Sequence, residues 1–172
     1  MATSVPSYTP ETAKVVADLG VQAMEFEFPV NKKVIEAVTN PNFRLDPKSR
    51  TALEQAWHIA SADVQFMENI ADMNFPMEET YKEMPKTIAD ILAWYDTKLP
   101  QALARVKALT PEQLSTPVDF YGVWKYPLFR YIDFAVRHSV HHRGYLAASL
   151  RSMGSKVPSI FGGSADEPFE MK

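Results

Sequence analysis

Four long stretches of this chain return an apolar side chain every third or fourth residue, and that period leaves a helical bundle as the fold. The second stretch, about Arg50 to Met73, carries Leu53, Trp57, Ala60, Val64 and Met67 on one side, with Ile59, Phe66 and Ile70 adjoining. So wide an arc suits a helix packed between neighbours. Thr51 and Glu54 match a capping box at its start. The third, about Lys86 to Leu109, has Ile88, Ile91, Leu92, Tyr95, Leu99, Leu103 and Val106 in its stripe, with Pro100 predicting a kink. The first runs from Glu11 to Val38, and Gly20 and Pro29 within it predict a break or kink, making two helices. The last runs from near Pro127 to about Met153, with Gly154 as its stop.

Short signals fill the gaps. Thr110, Pro111 and Gln113 open a short helix, and VDFYGVWKY is β-branched and aromatic enough for a short extended pair before the last long helix. The expected fold is all-α, a four-helix bundle in a single domain over 1–172, with 1–10 a loose leader and 154–172 an irregular tail. A net charge of −3 gives no field for nucleic acid, and Arg137, Arg143 and Arg151 are too few and too scattered for a phosphate stripe. The N-terminal residues have neither the basic nor the apolar region of a signal peptide, and no apolar run approaches the ~20 residues that cross a bilayer. A cytoplasmic protein is expected.

The chain has no cysteine. Disulfides, thiolate nucleophiles and Cys-based metal sites are excluded, so any transition metal must be held by imidazole and carboxylate, and any thiol belongs to the substrate. Three of the four histidines fall in RHSVHHRGY: His138, His141 and His142. At about 100° per residue, His138 and His142 share a face with Tyr131, Phe134, Tyr145 and Ser149, while His141 stands about 60° to one side. Imidazole, phenol and hydroxyl in place of Glu and Lys predict a lined cavity, with these five neighbours (Tyr131, Phe134, His141, Tyr145 and Ser149) as its walls.

Two histidines four apart can converge on one ion, but Ser139 stands where the zincin motif needs its glutamate, so a metalloprotease is not expected. A catalytic zinc needs about three protein ligands. The remaining histidine, His58, projects about 140° from the Leu53/Trp57/Ala60/Val64 stripe, among Glu54, Ser61, Ala62 and Gln65, which are the surroundings of a surface residue. Geometry alone leaves the third ligand open. Glu54 and Asp63 share that helix and read as solvated or capping residues, so no catalytic base is identified.

WHIASAD in the second helix, then HSVHHRGY and LRSMGSKVPSIFGG, resemble the DinB-like superfamily of four-helix-bundle metalloproteins, which includes bacillithiol- and mycothiol-type transferases. The likeness spans roughly residues 20–163. It implies a divalent metal, zinc or nickel first and manganese next, on His58, His138 and His142, with His141 beside the ligands but not one of them. Relatives usually continue R-G-Q where this chain has Arg143, Gly144 and Tyr145. The resemblance also permits a homodimer.

The first expectation for function is a metal-dependent enzyme that activates a low-molecular-weight thiol, as an S-transferase does, or water, against an electrophile. The alternative is a non-catalytic metal-binding or stress-response module; a third reading has no physiological metal, the histidines bonding one another.

Overall fold

The computed structural model of the protein describes residues 8–78 and 80–169. Its elements are α1 (Pro10–Glu36), α2 (Ala52–Ala71), α3 (Ile88–Lys107), α4 (Pro111–Ser115), β1 (Pro117–Phe120), β2 (Trp124–Pro127) and α5 (Arg130–Ser152). Side-chain oxygens of Thr9, Thr51, Thr87 and Thr110 each accept from a backbone N–H in the first turn of α1 to α4. Thr51–Glu54 and Thr110–Gln113 close both halves of a capping box. Gly154, at φ +78°, ends α5 in the left-handed conformation that glycine adopts without strain. Residues 1–7 of the expected leader lie outside the described residues, and Tyr8 packs edge-on against Phe129.

The four long helices form the bundle. α3 and α5 each pack on both α1 and α2, so α1 and α2 stand across its diagonal. The break expected in the first helix does not occur: α1 continues through Gly20 and Pro29. Gly20 serves packing instead, because a Cβ there would lie 2.7 Å from Cγ2 of Ile132, and its absence lets α1 approach α5. Burial of Val21, Met24, Val34 and Ile35 on either side of Pro29 holds the helix together despite the lost backbone donor. α3 likewise runs on through Pro100.

The extended pair is an antiparallel hairpin with Phe120 opposite Trp124. Tyr121 and Gly122, at φ +52° and +71°, make its tip, where Gly122 N–H donates to Asp119 Oδ2 at 2.7 Å. Tyr131 on α5 pins the hairpin, donating to the Val118 carbonyl at 2.8 Å and accepting from Tyr126 N–H at 3.0 Å. Phe120 stacks on Tyr131 and lies parallel to Phe66 of α2, so the hairpin lies over the α2–α5 seam. The tail folds back through an Arg151–Asp166 ion pair at 2.7 Å and a Thr39–Ser155 hydroxyl pair at 2.5 Å. Among the described residues, no helix is long and apolar enough to cross a membrane.

The core face of α5 runs through Ala135, Ser139, Arg143, Leu146 and Leu150, all buried. Asp63 on α2 is fully buried too. The burial of Asp63 corrects the sequence reading, which took it as solvated or capping. A polar cluster accounts for the difference. Asp63 Oδ2 accepts from Tyr95 at 2.5 Å, Ser139 at 2.9 Å and Asn31 at 3.1 Å. Arg143 pairs with buried Glu27 and donates to Asn31 Oδ1 at 3.2 Å. These six residues come from all four long helices, and their partners replace much of the water lost on burial, while Asp63 Oδ1 is buried without a hydrogen-bond partner among the described residues.

Candidate metal centre

The polar cluster sets the rotation of α5 against α2, since Ser139 and Arg143 each follow a histidine by one residue. With Ser139 turned to Asp63 in the core, His138 and His142 face the α2 edge of the helix. There they meet His58. One ring nitrogen from each of the three lies within 4.8 Å of the others, and all three residues are half-buried. His58 Nε2 and His142 Nε2 are 3.1 Å apart. Ring centroids stand 5.1 Å apart for His58–His138, 4.2 Å for His58–His142 and 4.3 Å for His138–His142.

Helical projection misjudged His58 because α2 is covered on two sides, by α3 and by α5. Its apolar stripe marks the side toward α3 and the centre; His58 sits at the α5 edge, where Phe66 packs edge-on against His138 at 5.2 Å. Gln55, one turn before His58 and buried, brings its amide nitrogen within 3.1 Å of His142 Nδ1 and donates to the His142 carbonyl at 3.1 Å. That contact orients the imidazole and leaves Nε2 toward His58.

Burial, the largest cause for each, holds the imidazoles far below the usual histidine range: His58 at about 3, His138 and His142 at about 4. The positive charge of Arg50 acts in the same direction on all three. At neutral pH the triad is therefore three uncharged imidazoles, each with one ring-nitrogen lone pair that a cation could draw from its present hydrogen bonds. The 3.1 Å Nε2 separation is close to that of two nitrogens sharing a tetrahedral ion with bonds of about 2.0–2.1 Å. His138 Nδ1 is buried without a hydrogen-bond partner among the described residues. Donor type, spacing and protonation state all fit a divalent metal, and the triad could hold one.

The other expected wall residues divide. Phe134 packs 6.5 Å from His138, and Tyr145 lines a concavity with His141 and His142, His141 itself being exposed. Tyr131 and Ser149 are placed elsewhere: Tyr131 pins the hairpin, and Ser149 donates to the Tyr145 carbonyl at 2.9 Å. Sequence reasoning did not reach Gln55, or Tyr121, which closes a cavity of about 130 Å³ over His58 and His138. A glutamine three residues before a ligand histidine was a readable signal, because that spacing puts both on one helix face. Tyr121 had none, since a hairpin tip has no face to project.

The sequence model of the DinB superfamily matches residues 11–146. An uncharacterised protein of Bacillus subtilis (strain 168), YrdA, is 26% identical over 153 residues, covering 86% of this chain and 89% of its own length. A crystal structure of a DinB-like protein from Bacillus cereus ATCC 10987 superposes with a TM-score of 0.65 at 26% identity, over 82% of this chain and 95% of that one. The fold is shared also with a DinB-like protein of B. subtilis, YjoA, at a TM-score of 0.64 and 24% identity, over 81% and 96% of the two chains.

Proposed function

The chain belongs to the DinB superfamily, and from its histidine triad we propose a metal-dependent enzyme that activates a low-molecular-weight thiol, or failing that water, for attack on an electrophile. One observation carries this reading: three uncharged imidazoles converge beside open concavities, with no carboxylate among the grouped ligands to balance a cation or close its shell. A divalent ion, zinc or nickel first and manganese next, would make a thiol or water brought to it more acidic and stabilise the anion.

The chain's own residues do the rest. His58, His138 and His142 offer lone pairs; Gln55 fixes the ring of His142; Phe66 and Tyr121 wall the small cavity on one side. In transfer, the thiol proton leaves to solvent, sulfur bonds the electrophilic carbon, and the leaving group departs with the bonding pair. The chain has no cysteine, so the thiol is a substrate, which suits a cytoplasmic setting that keeps thiols reduced. Val15, Leu19 and Phe26 leave exposed apolar side chains along α1, and a homodimer through that face completes the reading.

The test is consumption of small thiols with a panel of electrophiles, by protein loaded with zinc, nickel or manganese and by its His58→Ala and His138→Ala variants. Turnover that requires the metal and is lost in both variants is expected. Stoichiometric metal held by the triad without turnover of any thiol or ester would replace the enzyme with a non-catalytic metal-binding module.

A further inference from the structure

The α1–α2 loop carries three cations, Arg44, Lys48 and Arg50, to the rim of the triad. Its fold is fixed by Ala52 N–H donating to the Phe43 carbonyl at 2.8 Å, Leu53 N–H to the Pro41 carbonyl at 2.9 Å, and Ser49 N–H to the Asp46 carbonyl at 2.8 Å. Arg44 donates to the Ser49 carbonyl and pairs with Glu54 at 3.3 Å. Lys48, Ser49 and Arg50 then form a ridge with a concavity on either side. One, of about 430 Å³, reaches His58 and Trp57; the other, of about 450 Å³, reaches His142 and Tyr145. Both are of the size that takes a small molecule.

The charges around this ridge do not cancel. Glu54 is engaged by Arg44 and by Thr51 N–H, and the Asp46 carboxylate accepts from Lys48 N–H at 2.8 Å. Lys48 and Arg50 have no carboxylate partner among the described residues. His58 in one concavity and His141 and His142 in the other add no negative charge, and a divalent cation on the triad would add two positive ones. An exposed guanidinium beside such a site presents a planar fork of donors matched to a carboxylate or phosphate.

We infer that the substrate of this site is a small anion, and that Arg50, assisted by Lys48, receives its carboxylate or phosphate group while the reacting atom lies over the triad. This rests on the metal-site reading above and adds the charge of the substrate to it. Arg50 is a specificity residue here: it selects among thiols and leaves the metal in place.

The experiment uses the full chain loaded with Co(II), whose visible absorption reports each thiol as it binds. 2-Mercaptoethanol, mercaptosuccinate and, as a competitor, inorganic phosphate are titrated into wild type, Arg50→Gln and Lys48→Gln. Mercaptosuccinate is expected to bind wild type at least about tenfold more tightly than 2-mercaptoethanol. Arg50→Gln removes most of that preference, Lys48→Gln removes less, and both variants still take up one Co(II) at saturating metal. Displacement of mercaptosuccinate by inorganic phosphate at millimolar concentration assigns the site to phosphoryl groups as well; resistance to it assigns the site to carboxylates. Equal affinity for the two thiols, or a preference that survives in Arg50→Gln, overturns the proposal while the metal site stands. If wild type takes up no Co(II), the metal reading fails separately. Quenching of Trp57, read as the part of the mercaptosuccinate quench lost in Trp57→Phe, then decides the anion site: a response lost in Arg50→Gln retains it, and no response removes it.

Discussion

Ser139 Oγ donates to Asp63 Oδ2 at 2.9 Å, one residue along α5 from His138, so the bond that locks α5 against α2 lies directly beneath the histidine triad. Burial pushes the Asp63 carboxyl up to about 7, against the opposing effect of hydrogen bonds from Tyr95, Ser139 and Asn31 and of the Arg143 charge. A carboxyl raised in the folded state holds its proton there while the unfolded chain, near 3.8, has lost it. Its contribution to stability is therefore present at pH 4 and is lost as pH rises through about 7. Asp63→Asn keeps an acceptor for the three donors but buries an unpaired amide N–H, a cost of roughly 1–3 kcal/mol. The difference between wild type and Asp63→Asn in urea unfolding should shrink by at least about 1 kcal/mol between pH 5 and pH 8. A difference independent of pH would show the carboxyl ionised throughout.

The triad has the opposite sign. Its imidazoles are held at about 3 to 4, below the ordinary 6.5, so protons bind the unfolded chain first and the stabilising contribution, whole above pH 6.5, is lost as pH falls toward 4. Metal competes with protons for the same nitrogens. Zinc bound to the folded protein should be retained from pH 7 down to about pH 5 and released near pH 4, well below the point at which exposed histidines let go. Metal analysis after equilibration at each pH, with the fold followed by circular dichroism, measures it. Half-release near pH 6 from a folded chain would mean that the imidazoles are not protected by burial.

Gly20 and Ile132 set the distance between α1 and α5. A Cβ at Gly20 would lie 2.7 Å from Ile132 Cγ2, and Ile132 is fully buried with little room to turn. Alanine gains about 0.5–1 kcal/mol of helix propensity over glycine, but overpacking costs typically 1–3 kcal/mol, and the clash decides. Gly20→Ala should destabilise the protein by about 1–2 kcal/mol in chemical unfolding. The cost should vanish when measured in an Ile132→Ala background, where the colliding methyl is gone.

How much of this could be read beforehand follows from what each residue's environment depends on. The four long helices, the two capping boxes, the Gly154 stop and the extended pair are local, and each was visible in a window of a few residues. The triad members were nameable because spacing paired His138 with His142 and the family resemblance supplied His58; helical projection alone spoke against His58. The buried cluster was not visible. Asp63 read as solvated or capping, and only four helices meeting supply the partners that let it be buried together with Glu27, Asn31 and Arg143. Gly20 misled for a similar reason: an interruption in its own helix, it is a point of contact for another.

Gln55 is the neighbour that holds the triad in register. Its amide nitrogen lies 3.1 Å from His142 Nδ1 and donates to the carbonyl of the same residue at 3.1 Å, so side chain and backbone of one ligand are fixed together from α2. Removing such a support beside a metal ligand typically costs 10–100-fold in affinity. Gln55→Leu preserves the volume at this buried position and removes only the polar contacts. Its zinc affinity, by competition with a chromophoric chelator, should fall at least about tenfold, while circular dichroism and the stoichiometry at saturating zinc stay those of wild type. Gln55→Glu, which has no N–H to donate to Nδ1 or to the carbonyl, should not recover the loss. Unchanged affinity in Gln55→Leu would leave the orientation of His142 to packing alone.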